Sequence, residues 1–329
     1  MARLAKVSVG TVSRYLNGFV LREKNRARVE AAISELRYKV NFIAKGMKTR
    51  RTLSIGLLVT KLDEFHATIV RRLERVLSKQ GYMLVVCDYE HDIATLESKL
   101  TFLMDRSIDG FIVSPVPRHI KVLSELRDAG VPVVFFNNSV PGFETDHIAS
   151  DGASAVYRAV DHLVHLGHSR IALVSGRRSY STAADRFSGY RDALKDNNIP
   201  VVSGLLREVD WAVPLEGYRA AKSVLSSDPP PSAILAGNYI VGLGVLRAIR
   251  ELDIKMPARL SFVTFDDGEV FQLNSPSITA ITQPLDDLAE ATAAILLRRL
   301  SGDWEDFPAD VLLPAQLVLR DSIAAPYRP

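Results

Sequence analysis

Phe65, His66, Asn137, Arg186, Trp211, Asn238, Asp266 and Gln283 are scattered along 329 residues, yet they form a chemically coherent set. They fall among the residues expected just past predicted β-strands, with Asn138, Tyr180 and Asp267 close by. In open α/β sheets, ligands bind beyond the carboxyl ends of the strands. Aromatics, amides, carboxylates and one arginine suit a carbohydrate. An aromatic face covers the apolar side of a sugar ring, and forks of donors and acceptors meet its hydroxyls.

The elements that must hold these residues alternate. Ser54–Val59, Tyr82–Cys87, Gly110–Val113 and Val131–Phe136 read as buried strands. Between and after them come helical stretches at Phe65–Gln80, Ile93–Met104 and His119–Ala129. The alternation resumes with helices near Asp151–Leu166, Ala183–Asn197, Pro214–Leu225 and Tyr239–Leu252. Strands are expected up to Gly176, at Ser232–Ala236 and at Leu260–Phe265. The fold class is therefore α/β, with parallel sheets in two lobes. Lobe 1 is expected at about 53–147 and 283–313, and lobe 2 at about 148–280 and 315–329. Segments crossing between them leave a cleft.

The first fifty residues differ in kind. Residues 1–52 hold thirteen Lys or Arg against three Glu, a balance of +10. With +3 overall, the remainder carries −7. A basic head on an acidic body is an electrostatic footprint for a polyanion. Within it, Val7–Gly18 reads as a short helix opened by Ser8 as N-cap and closed by Gly18. A preceding helix end and a tight turn complete a helix-turn-helix layout, whose second helix enters the DNA major groove. Glu23–Leu36 reads as a third helix. Residues 1–48 are thus expected to form an all-α DNA-binding head, and 49–329 a ligand-binding and dimerisation domain.

VSVGTVSRYLNG, RVEAAISELRY and Asn41-Phe42-Ile43-Ala44 resemble the head of the lactose-repressor (LacI/GalR) family. LGHSRIALVSG and Arg186-Phe187-Ser188-Gly189-Tyr190 carry the resemblance into the body. It implies a two-lobed body like a type I periplasmic binding protein, and a ligand-responsive transcriptional repressor that binds a palindromic operator as a homodimer. It further implies DNA contacts from Ser8, Val9, Gly10, Thr11, Ser13, Arg14 and Asn17, and from Ala44 and Met47 in a hinge helix at Asn41–Lys48. Arg186 would grip the effector, Trp211 would be an aromatic lid and Asp266 would accept from hydroxyls. The first helix reads as truncated, since Met1 falls inside it, and Lys6 stands where the family often has Gly. The expected effector is a sugar, sugar acid or polyol, with no cofactor.

Other classes fit less well. A solute-binding protein would use the same lobes, but nothing at the start reads as a signal peptide, and no apolar run reaches a membrane span. The expected location is cytoplasmic, on the nucleoid. Gly242-Leu243-Gly244 lies inside a predicted helix, where Gly-x-Gly is no phosphate loop. His162, His165 and His168 have metal-like spacing but no acid partner evident, so neither a metal site nor catalysis is expected. Cys87 lies in a hydrophobic run and reads as a strand residue; one cysteine allows no disulfide within the chain.

Overall fold

The structure, a computed structural model, describes residues 1–16, 19–36, 38, 51–117, 120–211 and 213–327. The chain divides into two compact units, Met1–Leu53 and Ser54–Pro329.

In the first unit, α1 (Ala2–Ala5), α2 (Val9–Leu16) and α3 (Glu23–Glu35) enclose a core of Ala5, Val12, Val29 and Ala32. Ser8 caps α2, its hydroxyl accepting from the Thr11 N–H at 3.1 Å. Lys6 makes the turn between α1 and α2 in the left-handed region, with φ 51° and ψ 46°. That conformation costs a non-glycine residue roughly 1–2 kcal/mol. The Tyr15 hydroxyl donates to Glu30 at 2.8 Å and ties α2 to α3, with Arg26 on the same carboxylate oxygen.

The second unit holds two six-stranded sheets. The first is built from β1 (Ser54–Val59), β2 (Met83–Asp88), β3 (Gly110–Val113), β4 (Val133–Phe136), β5 (Asp146–Asp151) and β11 (Asp310–Pro314). The second is built from β6 (Ile171–Gly176), β7 (Leu206–Val209), β8 (Ala233–Ala236), β9 (Ser261–Phe265), β10 (Thr279–Thr282) and β12 (Gln316–Val318). Their orders are β11-β5-β4-β3-β1-β2 and β12-β10-β9-β8-β6-β7, one arrangement used twice. Strands such as Ile171–Gly176 and Ala233–Ala236 are buried throughout, because helices cover both faces of each sheet. The covering helices are amphipathic. Glu64–Lys79 buries Ile69, Leu73 and Leu77 at four-residue spacing.

Two departures from the sequence reading have local causes. β5 reads Asp-His-Ile-Ala-Ser-Asp, with no hydrophobic run to betray it, yet it pairs with β4 and β11. The first crossing between sheets therefore follows Asp151. The second sheet is not wholly parallel: β12 pairs antiparallel with β10, because it enters directly from β11 across Ala315. Gly242 and Gly244 do lie within a helix, Tyr239–Glu251. A Cβ on Gly244 would sit 2.5 Å from the Tyr218 N, so that glycine serves close helix packing.

Two buried polar residues fix the frame. Arg299 donates from Nε and Nη2 to the two carboxylate oxygens of Asp146, at 2.9 and 2.8 Å, locking the helix Leu285–Ser301 onto β5. His168 is packed away from solvent. Its Nε2–H donates to the Ala324 carbonyl at 2.8 Å, so Nδ1 accepts from the Ser232 hydroxyl at 2.8 Å. Burial lowers the pKa of this imidazole. The folded state thus holds it neutral, while the unfolded chain protonates it near the ordinary value of about 6.5. Its stabilisation is complete above that pH and is lost as pH falls through the folded value. Thermal unfolding from pH 7.5 to 5 should show a steeper loss of Tm in the parent than in His168→Gln.

Candidate functional site

Both sheets turn the carboxyl ends of their strands toward one cleft, and matching positions close it. Asn137 follows β4 and Asp266 follows β9, the third strand in each sheet order. Both lie in the left-handed region, with φ 69° and 66°. Their N–H groups bond Ile148 and Ile281 in the next strands at 2.8 and 2.9 Å. Asn and Asp tolerate this conformation better than most residues, and it turns the chain sharply at the cleft wall.

Phe65, His66, Asn137, Arg186, Trp211, Asn238, Asp266 and Gln283 all line one pocket of about 50 Å³ in the cleft. The Phe65 ring stacks on Phe136 at 6.0 Å and meets His66 edge-on at 5.1 Å. Trp211 packs over Gly176, where a Cβ would lie 2.5 Å from the indole, and leans on Tyr180 at 5.5 Å. Arg186 is 4% exposed. Its guanidinium carbon lies 3.6 Å from the Phe265 ring centre and 5.4 Å from that of Trp211, and Nη1 donates to the Gly237 carbonyl.

Two of the amides are already engaged. Asn238 caps its helix, Oδ1 accepting from the Val241 N–H at 2.8 Å while Nδ2 donates to the Trp211 carbonyl at 3.2 Å. Gln283 accepts from the Ser150 hydroxyl and donates to Asp266, each at 2.6 Å. These residues shape the wall and position Trp211 and Asp266.

Burial dominates the electrostatics of Asp266 and Arg186. Burial pushes the Asp266 carboxyl above its usual range, against the pull of Arg186 and the hydrogen bond from Gln283. Burial likewise lowers Arg186, opposed by Asp266 and Asp185, and a guanidinium stays charged regardless. Burial opposes ionisation of Asp63 too. There, hydrogen bonds from the His66 ring and backbone prevail and hold the carboxyl below its usual range. Among the described residues, His66 Nε2, Ser114 Oγ, Ser175 Oγ and Arg186 Nε are buried without a protein hydrogen-bond partner.

Thr60, Lys61, Asp63, His91 and Ser114 also line the cavity, and the sequence reading does not name them. Thr60, Lys61 and Ser114 directly follow β1 and β3, so the strand-end rule contains the signal that finds them. Direct bonds span the cleft. The Asn138 Oδ1 accepts from the Thr182 hydroxyl at 2.9 Å, and the Ser139 N–H donates to the Ser181 hydroxyl at 2.9 Å.

In the first unit, Ser8, Val9, Gly10 and Arg14 are exposed along α2, and Thr11 and Ser13 are half-buried. Val12 faces the core. The open face is therefore polar, small and basic. Asn17, Ala44 and Met47 lie outside the described residues, as does the Asn41–Lys48 segment.

Residues 1–41 match the family model of bacterial regulatory proteins, lacI family, and residues 160–323 match that of a periplasmic binding protein-like domain. The chain is 31% identical over 334 residues to the HTH-type transcriptional repressor PurR of Yersinia pestis (strain Pestoides F), covering 100% of this chain and 97% of that one. It belongs to the LacI family. This LacI-family chain is a ligand-responsive DNA-binding transcriptional repressor of the cytoplasm, not an enzyme. Its fold also matches a solved Lac repressor dimer bound to operator and the anti-inducer ONPF, with 28% identity, TM-score 0.85 and 98% of each chain covered. A CelR–cellobiose complex matches with 28% identity, TM-score 0.77 and the same coverage. No helix among the described residues is long and apolar enough to cross a membrane.

The cross-cleft bonds carry a prediction. Removing the Asn138 amide deletes a bridge whose net contribution is about 0.5–1.5 kcal/mol. Asn138→Ala should lower the closed-to-open ratio roughly two- to tenfold. Small-angle scattering should then show a larger radius of gyration, and Trp211 a shifted emission.

Proposed function

We propose that this chain represses a carbohydrate-utilisation operon. It binds a palindromic operator as a homodimer on the nucleoid and is switched by a sugar, sugar acid or polyol held between its lobes. Residues 1–48 act as the DNA-binding head and 49–329 as the sensing and dimerisation domain. One observation carries the effector reading: eight residues drawn from seven separate stretches of the chain line one pocket, with Arg186 buried at its wall. Aromatic faces beside polar forks are what a sugar requires.

The exposed face of α2 supports the operator reading. Val9 and Gly10 present little beyond a methyl-sized surface, suited to a thymine methyl rather than a bidentate contact. Around Gly10 a Cβ meets only the Ser8 hydroxyl at 3.7 Å, so a longer side chain fits. Gly10→Gln should change the sequence preference in a randomised-site selection. An unchanged preference removes α2 from the major groove.

The switch is tested at Arg186. The effector biases the protein only through its better fit to one state. A charged hydrogen bond contributes about 1.5–3 kcal/mol, on the order of ten- to a hundredfold in affinity. Arg186→Ala should keep operator binding, measured by fluorescence anisotropy, and lose most of the effector response. A response equal to the parent's overturns the cleft assignment.

A further inference from the structure

We propose that the second lobe carries a ligand site of its own, behind the cleft wall, and that it takes a small uncharged aromatic alcohol of the phenol class. The site is separate from the effector cleft and does not rest on the carbohydrate reading.

A pocket of about 250 Å³ opens between the helix Ser181–Asp196 and the β6–β7 end of the second sheet. It shares no residue with the cleft pocket. Leu173, Ala183, Phe187 and Leu206 give it an apolar lining, and Arg178 and Glu208 are exposed at its mouth. Protein interiors hold few voids larger than a water molecule. This one exceeds the roughly 150 Å³ of an apolar cavity that binds benzene. It has room for one six-membered ring with a substituent.

A buried hydroxyl marks the chemistry. Of the buried polar atoms without a partner, His66 Nε2, Ser114 Oγ and Arg186 Nε belong to residues of the cleft pocket. The remaining one, Ser175 Oγ, belongs to a residue of this second pocket, and Ser175 is 4% exposed. A buried hydroxyl without a partner is costly. A ligand hydroxyl both donates and accepts, so it meets Ser175 in either role.

Charge sets the rest. The Arg178 guanidinium carbon lies 4.6 Å from the Phe187 ring centre. Arg178 donates from Nε and from its backbone N–H to the Glu208 carboxylate. Arg207 lies on the opposite face of β7, with Val209, and gives its Nη groups to the Gly204 and Leu206 carbonyls and the Ser223 hydroxyl. Cation and carboxylate are therefore matched at the mouth, and the interior is apolar. An anion carried inside would be a buried charge without a partner, whereas a phenol brings none.

The site backs onto the cleft. Gly176 lines it and also seats Trp211, since a Cβ there would lie 2.5 Å from the indole. On the helix Ser181–Asp196, Ala183 and Phe187 line this pocket, while Thr182 bonds Asn138 and Arg186 lines the cleft. Each pair is four residues apart, so two faces of one helix serve two sites. An occupant of the second pocket bears on the wall of the first.

The experiment uses the full chain carrying Trp304→Phe, which leaves Trp211 as the single tryptophan of the two. Phenol, toluene and benzoate are titrated by Trp211 emission and by calorimetry. Phenol should bind at millimolar concentration and shift the emission. Toluene should bind more weakly, and benzoate roughly tenfold more weakly or not at all. Ser175→Ala should lower phenol affinity roughly two- to tenfold and leave that of toluene unchanged. Its Tm should equal or exceed the parent's, because the substitution removes an unpaired buried hydroxyl. Leu206→Phe, which fills the pocket from a half-buried position, should abolish binding of both with an unchanged circular dichroism spectrum. Phe65→Ala, in the cleft, should bind phenol as the parent does. Absence of phenol binding, its loss in Phe65→Ala or its survival in Leu206→Phe overturns the site. Tighter binding of toluene or benzoate, or an unmoved phenol affinity in Ser175→Ala, overturns the chemistry assigned to it.

Discussion

Gln283 joins the two halves of the sensing unit at the point where the chain passes between them. Its amide oxygen takes the Ser150 hydroxyl, from the end of the strand where the chain first crosses. Its nitrogen gives to Asp266, at the wall of the other sheet. One side chain on the second crossing thus links the first crossing to a cleft carboxylate. The angle between the sheets and the position of Asp266 are coupled through hydrogen bonds of 2.6 Å. A ligand that moves Asp266 must act on the crossings, and closure of the crossings must act on the ligand.

The rest of the unit supplies stiffness around that joint. Arg299 and Asp146 bond through two parallel contacts in the interior, a geometry that fixes direction as well as distance. Breaking such a buried pair strands a charge, which is why its value is specificity of arrangement. His168 secures the C-terminal segment in the same way with neutral groups, bonding both Ser232 and the Ala324 carbonyl.

Repetition explains how so small a cavity gathers so many polar groups. The same strand order appears in both sheets, so each strand end meets a counterpart across the cleft. Asn137 and Asp266 occupy matching turns with matching backbone bonds. The lobes then differ in what they attach. One places Phe65, His66 and Ser114 in the wall, and the other Arg186, Trp211 and Asp266. A ligand between them touches chemistry from both sides, which is what closure requires.

Much of this was legible in the linear chain. Apolar runs such as Ser54–Val59 and Gly110–Val113 fix strands with the bounds found, because a strand covered on both faces must be apolar at every position. Polar residues just past such runs are the cleft residues, because strand ends are where a parallel sheet opens. Ser8 announces α2, because a cap acts within three residues. β5 was hidden, since its place is set by β4 and β11, which are distant in sequence. So were the occupations of Asn238 and Gln283. Sequence shows that an amide stands at the cleft, but only tertiary structure decides whether its hydrogen bonds are spent on Trp211, Ser150 and Asp266 or left for a ligand. Local forces act within a turn of helix or along one strand, and those the sequence determines. Partners for a buried polar group come from wherever the fold brings them, and that only the packed chain decides.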